Sequence, residues 1–220
     1  KGQLVREIDA LDGIMGKAID KSGIQFRVLN QKKGPAVRGP RAQADRKLYR
    51  KNVFKLLSAQ KNLIMHAGSA EELLFDNEDK LIGLKTQNGE NVFSSKIIIT
   101  TGTFLRGVIH IGEEKIPAGR INERPSVGLS SMFQSKGFNL GRLKTGTPPR
   151  LDGKTIDWDI LVEQPGDAYP QPFSFLTEKI TIRQISCFIT ETTPNTHALI
   201  NTNLNRSPMY SGQIKSAGPR

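Results

Sequence analysis

The chain has 220 residues, 36% hydrophobic and 24% charged, the composition of a folded globular protein, which excludes collagen-like, repetitive and disordered classes. No apolar run approaches the ~20 residues of a bilayer-crossing helix, and one cysteine, Cys187, with histidines only at 66, 110 and 197, excludes a disulfide framework and leaves no metal-ligand spacing. The net charge of +11 exceeds what solubility requires and favours polyanions, nucleic acid before an anionic membrane surface.

The chain opens on a helix. Leu4, Ile8, Leu11, Met15 and Ala18 keep a helical period, and Gly23 after Lys21-Ser22 supplies a left-handed stop. Its internal glycines, Gly13 and Gly16, each weaken a helix by about 1 kcal/mol against Ala, an effect that close packing on a flat partner would offset. Lys1 in place of Met, and the turn residues at the far end, read as an internal fragment, so the lack of a targeting signal carries no meaning.

The charge has an address. Between Arg27 and Lys55 lie ten Lys or Arg against one acid, Asp45. Gly39-Pro40 is expected to start a helix in which Tyr49, Val53, Leu56 and Leu57 form the apolar side. Arg46, Lys47, Arg50, Lys51 and Lys55 form rows opposite. A solvated surface and a phosphate-contacting face both fit this pattern, and Lys32, Lys33 and Arg38 extend the charge into the preceding loop.

A β-meander is expected next, with strands over 62–66, 70–75, 80–86 and 91–94 and Asn88-Gly89 as a type I′ hairpin turn. It leads into Lys96-Ile97-Ile98-Ile99-Thr100-Thr101-Gly102-Thr103, a β-branched run suited to a strand buried on both faces of a parallel sheet. Thr101 and Gly102, at its carboxyl end, are candidate nucleotide contacts, because small residues let backbone approach a ligand there. Pro148-Pro149 marks a boundary near residue 149. Beyond it, 177–183 and 186–190 read as strands and 196–204 as a helix. Cys187 in an apolar alternating run reads as a packed core thiol, His110 between two isoleucines as a satisfied strand histidine, and His197 stays undecided.

A meander feeding a strand that ends in Thr-Thr-Gly is similar to the second nucleotide-contacting corner of two-dinucleotide-domain flavoproteins of the glutathione-reductase type. Longer strings sharpen this. Leu4-Val5-Arg6-Glu7-Ile8-Asp9-Ala10-Leu11, Gly34-Pro35-Ala36-Val37, Arg41-Ala42-Gln43-Ala44-Asp45-Arg46, Thr101-Gly102-Thr103-Phe104-Leu105, Ile109-His110-Ile111-Gly112, Pro172-Phe173-Ser174-Phe175 and Gly218-Pro219-Arg220 occur in the order of the MnmG (GidA) family. So does the ten-residue string Gly141-Arg142-Leu143-Lys144-Thr145-Gly146-Thr147-Pro148-Pro149-Arg150. The resemblance covers the whole chain.

The resemblance implies an α/β fold: a Rossmann-like FAD-binding domain of the glutathione-reductase type without its first strand, over residues 1–149, with a β-meander, and the start of an inserted α/β domain for NADH and substrate over 150–220. It implies an FAD-dependent enzyme that adds the carboxymethylaminomethyl group to C5 of the wobble uridine of certain tRNAs. The one-carbon unit would come from methylene-tetrahydrofolate, and the partners would be a second copy of the chain and the GTPase MnmE. Carried over to this sequence, Ala70 and Ser126 would meet FAD, with Thr101 and Gly102 added from the strand-end argument. Gly218, Pro219 and Arg220 would open the NADH loop. Lys32, Lys33, Arg46, Lys47, Arg50 and Lys51 are the candidate RNA contacts.

The family's cysteines would lie before Lys1 and just after Arg220, and no G-x-G-x-x-G occurs in the chain, so these 220 residues alone are expected to be inactive. A bacterial cytoplasm is the expected location, with the mitochondrial matrix as the alternative. Rival readings are a folate- and FAD-dependent tRNA methyltransferase relative, a flavin reductase for small molecules, and a non-catalytic RNA-binding module. The last needs stacking aromatics near the basic face, where only Phe26, Tyr49 and Phe54 are available, and Tyr49 and Phe54 are expected to flank the apolar side.

Overall fold

Residues 2–146 and 148–214 are described by a computed structural model. In chain order the elements are helices α1 (Gly2–Ala10) and α2 (Ile14–Asp20), strands β1 (Gly23–Leu29) and β2 (Gly39–Ala44), helix α3 (Arg46–Ser58), and strands β3 (Ala70–Phe75), β4 (Leu81–Thr86) and β5 (Asn91–Phe93). There follow β6 (Val108–Ile111), β7 (Glu114–Pro117), α4 (Gly128–Ser135), β8 (Val162–Gln164), β9 (Cys187–Ile189) and α5 (Pro194–Thr202). The chain divides into two units, one of Lys1–Met65 with Leu151–Glu191, the other of His66–Arg150 with Thr192–Arg220.

In the first unit, the helix expected at the start is two helices. Asp12 takes φ 64° and Gly13 is extended at φ −66°, ψ 154°. Asp enters the left-handed region more readily than most residues, so the chain turns there while the apolar period continues across the break. Gly23 stops no helix either: α2 closes at Lys21, and Gly23 opens β1.

Strands β1 and β2 form an antiparallel hairpin running from Gly23↔Ala44 to Leu29↔Gly39. Gly39-Pro40 therefore begins a strand and not the basic helix; a two-stranded sheet has free edges, where proline's missing N–H is harmless. The helix starts six residues later, at Asp45, whose carboxylate accepts from Lys47 N and Leu48 N, both at 2.9 Å. This is an N-cap that satisfies two otherwise unpaired donors.

Two buried carboxylates organise the core of this unit. Asp20, 3% exposed, accepts from Phe173 N at 2.8 Å and Ser174 N at 2.9 Å. Asp9 accepts from Phe175 N at 2.9 Å. The loop so held places the Phe173 ring 6.2 Å from that of Phe26. It is also the partner that Gly16 makes room for: a Cβ there would lie 2.8 Å from Asp9 Oδ1 and 3.2 Å from Ser174 N. Strands β8 and β9 pair antiparallel, from Val162↔Ile189 to Gln164↔Cys187, while residues 177–183 form no strand.

In the second unit, β3, β4 and β5 form the expected meander, with Leu73 opposite Leu84 and Gly83 opposite Phe93. Residues 62–66 make no ladder. The turn after β4 differs from expectation. Gly89 alone takes positive φ, 86°, and Thr86 N donates to Glu90 O while Gly89 N donates to Thr86 O, both at 2.9 Å. That is a three-residue loop closed by a left-handed glycine, not a two-residue type I′ turn.

Residues 96–99 form no strand, and Ile98 is 90% exposed. A strand buried on both faces needs neighbours along its edges, and no described residue pairs with this one. The hairpin β6–β7 runs from Val108↔Pro117 to Ile111↔Glu114, and α4 packs on β3. Helix α5 opens on a reciprocal Thr193–Thr196 capping box. Among the described residues no helix is long and apolar enough to cross a membrane.

Candidate cofactor site and candidate nucleic-acid interface

Ala70, Thr101, Gly102 and Ser126 all belong to the second unit, and a line of hydrogen bonds joins three of them, Ala70, Ser126 and Thr101. Ser126 Oγ donates to Ala70 O at 3.5 Å. Ser126 N donates to Phe104 O at 2.8 Å, and Phe104 N to Thr101 O at 3.3 Å. Gly102 stands beside Thr101 at φ 61°, and a Cβ added there would meet nothing within 4 Å, so the backbone is open there, but with no strand over 96–99 the two residues do not stand at the strand end expected of them.

What keeps Ser126 against Ala70 is the next residue along β3. Glu71 Oε2 accepts from Gly128 N at 3.1 Å, and Glu71 Oε1 accepts from Ser69 Oγ at 3.0 Å. One carboxylate thus clamps the first turn of α4 to the start of β3, satisfying a helix N–H that has no partner within the helix. Glu71, together with Pro125 and Val127 on either side of Ser126, lines an open cavity of ≈710 Å³, within the size range of ligand pockets. Sequence reasoning missed Glu71; its place immediately after a candidate contact was the only signal. A second cavity of ≈400 Å³, in the first unit, is bordered by Arg27 and Asp167. These are occupied internally, Arg27 Nη1 donating to Pro165 O at 3.3 Å and Asp167 Oδ2 accepting from Val28 N at 2.8 Å.

The candidate RNA contacts belong to the first unit and fall into two groups. Lys32 and Lys33 sit in a short 3₁₀ turn (Gln31–Lys33) at the tip of the β1–β2 hairpin. Arg46, Lys47, Arg50 and Lys51 are exposed on α3, which follows the opposite end of β2. Strand β2 stands between the groups, so the basic stretch is not the continuous loop-and-helix surface expected. Among the described residues none of these four α3 cations forms an ion pair.

The single thiol is not a core thiol. Cys187 is half-buried, its Sγ accepting from Gln43 Nε2 at 3.1 Å and donating to Gln25 Oε1 at 3.3 Å. The same Gln25 oxygen accepts from Arg41 Nη2 at 3.1 Å and Gln43 Nε2 at 3.2 Å. A buried amide that gathers three donors explains why a polar side chain is tolerated inside β1. His110 is not fully satisfied: its Nδ1 is buried without a partner among the described residues. His197 is exposed on α5, its Nε2 2.7 Å from Thr192 Oγ1.

Two ionisations are displaced. The hydrogen bond and charge of Lys17 hold the Asp12 carboxyl below its usual range, and burial pushes the Tyr49 phenol up. Gly218, Pro219 and Arg220 lie outside the described residues. Among the described residues no group of three His, Cys, Asp or Glu is placed to hold a metal ion.

The chain is 51% identical over 222 residues to the tRNA uridine 5-carboxymethylaminomethyl modification enzyme MnmG of Granulibacter bethesdensis, with 100% of this chain and 35% of that protein covered. The protein of the same name from Syntrophotalea carbinolica is 52% identical over 220 residues, with 100% and 35% covered. The chain therefore spans about a third of the length of these relatives. In three dimensions it is similar to GidA of Aquifex aeolicus in its form I crystal, with a TM-score of 0.89, 47% identity, and 99% of this chain and 37% of that one covered. That match bears out the α/β fold class expected from the sequence. The family model described as glucose inhibited division protein A matches residues 1–220, and the chain belongs to that family.

Proposed function

We propose that this chain is part of an FAD-dependent enzyme that adds the carboxymethylaminomethyl group to C5 of the wobble uridine in tRNA. The observation that carries the reading is the hydrogen-bonded line from Ala70 through Ser126 and Phe104 to Thr101, with Glu71, Pro125 and Val127, the chain neighbours of Ala70 and Ser126, lining a cavity of ≈710 Å³. It brings together, from three distant stretches of sequence, residues suited to meeting a nucleotide. The relatives' shared name, a tRNA uridine modification enzyme, supplies the substrate and the product.

These residues fit a flavin nucleotide. Gly102 offers backbone with no side chain in the way, Ala70 adds only a methyl group, and Ser126 brings a hydroxyl to Ala70. Bound flavin would supply the electron transfer. The chain's own task is to hold and orient: Glu71 fixes Ser126, Ser126 fixes the backbone at Phe104, and Phe104 fixes that at Thr101. On this reading methylene-tetrahydrofolate gives the carbon and NADH the electrons, with Gly218, Pro219 and Arg220 opening the NADH site. Residues 1–149 belong to the FAD domain and 150–220 begin the inserted domain. The working assembly is a homodimer joined to MnmE in the bacterial cytoplasm, and residues 1–220 by themselves are inactive.

RNA is held by Arg46, Lys47, Arg50 and Lys51, with Lys32 and Lys33 as a second contact, because cations unopposed by carboxylates gain most from neutralising phosphates. Two measurements test the reading. The intact protein is expected to purify yellow, and tRNA from cells lacking it to have lost the modified wobble uridine by mass spectrometry; a colourless protein with fully modified tRNA would overturn the proposal. Reversing the four α3 charges is expected to lower tRNA affinity at least tenfold at moderate salt; unchanged affinity removes the RNA face from α3.

A further inference from the structure

We propose that Phe54 is a stacking platform for an unpaired nucleobase, so that α3 grips a single-stranded loop of the RNA and not a duplex stem. This rests on the reading of α3 as the RNA face. Of the three aromatics near the basic stretch, Phe26 is 2% exposed and Tyr49 half-buried. Phe54 alone stands in solvent, 61% exposed. The sequence had placed it at the edge of the apolar side.

Its position among the charges carries the proposal. An α-helix advances by about 100° per residue. Measured from Arg46, Arg50 then lies at about 40°, Lys47 at about 100°, Lys51 at about 140° and Lys55 at about 180°. Phe54 falls at about 80°, in the middle of the arc. All five cations are exposed, and among the described residues none forms an ion pair. The nearest acid, Asp45, is engaged as the helix cap.

A lone exposed aromatic is ordinary, but one ringed by unopposed positive charge matches a partner with an anionic backbone and flat apolar faces. Single-stranded nucleic acid has both, and its bases are free to leave the strand and stack on an aromatic ring. In a duplex the base faces are already covered by their neighbours, which leaves a phenyl ring nothing to stack on. Charge complementarity selects a polyanion, and the ring at the centre of the charges selects one with unpaired bases.

The test uses the intact protein with two RNA probes, an anticodon stem-loop of the tRNA and a blunt duplex carrying the stem sequence. Phe54→Leu keeps an apolar side chain and removes the ring; Phe54→Trp keeps a ring. The expected result is a roughly tenfold loss of stem-loop affinity in Phe54→Leu, retention in Phe54→Trp with its fluorescence quenched on binding, and no change for the duplex. The slope of affinity against salt stays as in the wild type, because no phosphate contact is lost. Wild-type stem-loop affinity in Phe54→Leu, or an equal loss on both probes, would overturn the proposal. Melting temperatures of the variants identify a folding defect, and a loss of affinity that follows the melting temperature also counts against it. The four-charge reversal separates the two ideas: if it leaves tRNA affinity intact, the RNA face itself fails, whereas if it weakens binding and Phe54→Leu does not, only the stacking fails.

Discussion

At the scale of single residues, buried carboxylates in the first unit act on backbone. Asp20 accepts from two consecutive amides, Phe173 N and Ser174 N, and is almost wholly enclosed. Removing the carboxylate leaves two buried donors without partners, each worth about 1–3 kcal/mol when unsatisfied. Asp20→Ala is therefore expected to destabilise the unit by about 2 to 6 kcal/mol, and Asp20→Asn by less, because its amide oxygen can still accept from one of the two. Urea unfolding of the intact protein, with amide exchange at Phe173 and Ser174 followed to report on this unit, would measure this. The ring of Phe173 should release Phe26 in the alanine variant, because the loop that presents it is no longer tethered. Neither effect was visible in the sequence, where Asp9 and Asp20 look like ordinary polar positions of an amphipathic helix. Their partners lie more than 150 positions away.

At the scale of elements, Glu71 couples β3 to α4 and through them sets the distance between Ala70 and Ser126. Glu71→Ala is expected to loosen α4 by about 1 kcal/mol, the value of a typical cap, and to lower flavin retention several-fold. Glu71→Gln, which keeps an acceptor for Gly128 N, should fall between. Flavin absorbance per protein after dialysis would read both. The sequence was informative where local chemistry settles the outcome. Strands β3, β4 and β5 were legible from alternation and from the turn residues Asn88-Gly89, although the turn's detail was not, since Asn88 fits more than one loop. Strands β1 and β2 carry the alternation of Ile24, Phe26 and Val28, but Lys and Arg interrupt the stretch between them and Gly39-Pro40 resembles a helix start. The break at Asp12 was hidden because the apolar spacing continues through it. The candidate cofactor site was legible only through family resemblance: Ala70 and Ser126 meet because β3 and α4 pack together, which no periodicity reveals.

At the scale of the whole molecule, much of the large apolar side-chain surface among the described residues faces solvent. The described residues bury only Ala18, Phe26, Ala118, Leu129 and Phe173 as apolar core, while Leu11, Ile64 and Tyr169 stand at least 85% exposed. A core this small supports little stability of its own. Residues 1–220 produced alone are expected to bind a hydrophobic dye strongly and to unfold without a sharp transition. The same residues within a polypeptide of the relatives' length should do neither; equal dye binding in the two would show that the apolar surface is native. The run Ile97-Ile98-Ile99 sharpens the point. Its main-chain groups have no partner strand among the described residues, and its side chains are of the type that stacks readily between identical copies. A ribosome that stalled soon after making it would release a product with a ready template for aggregation, so cellular quality control should clear such truncated forms faster than the complete protein.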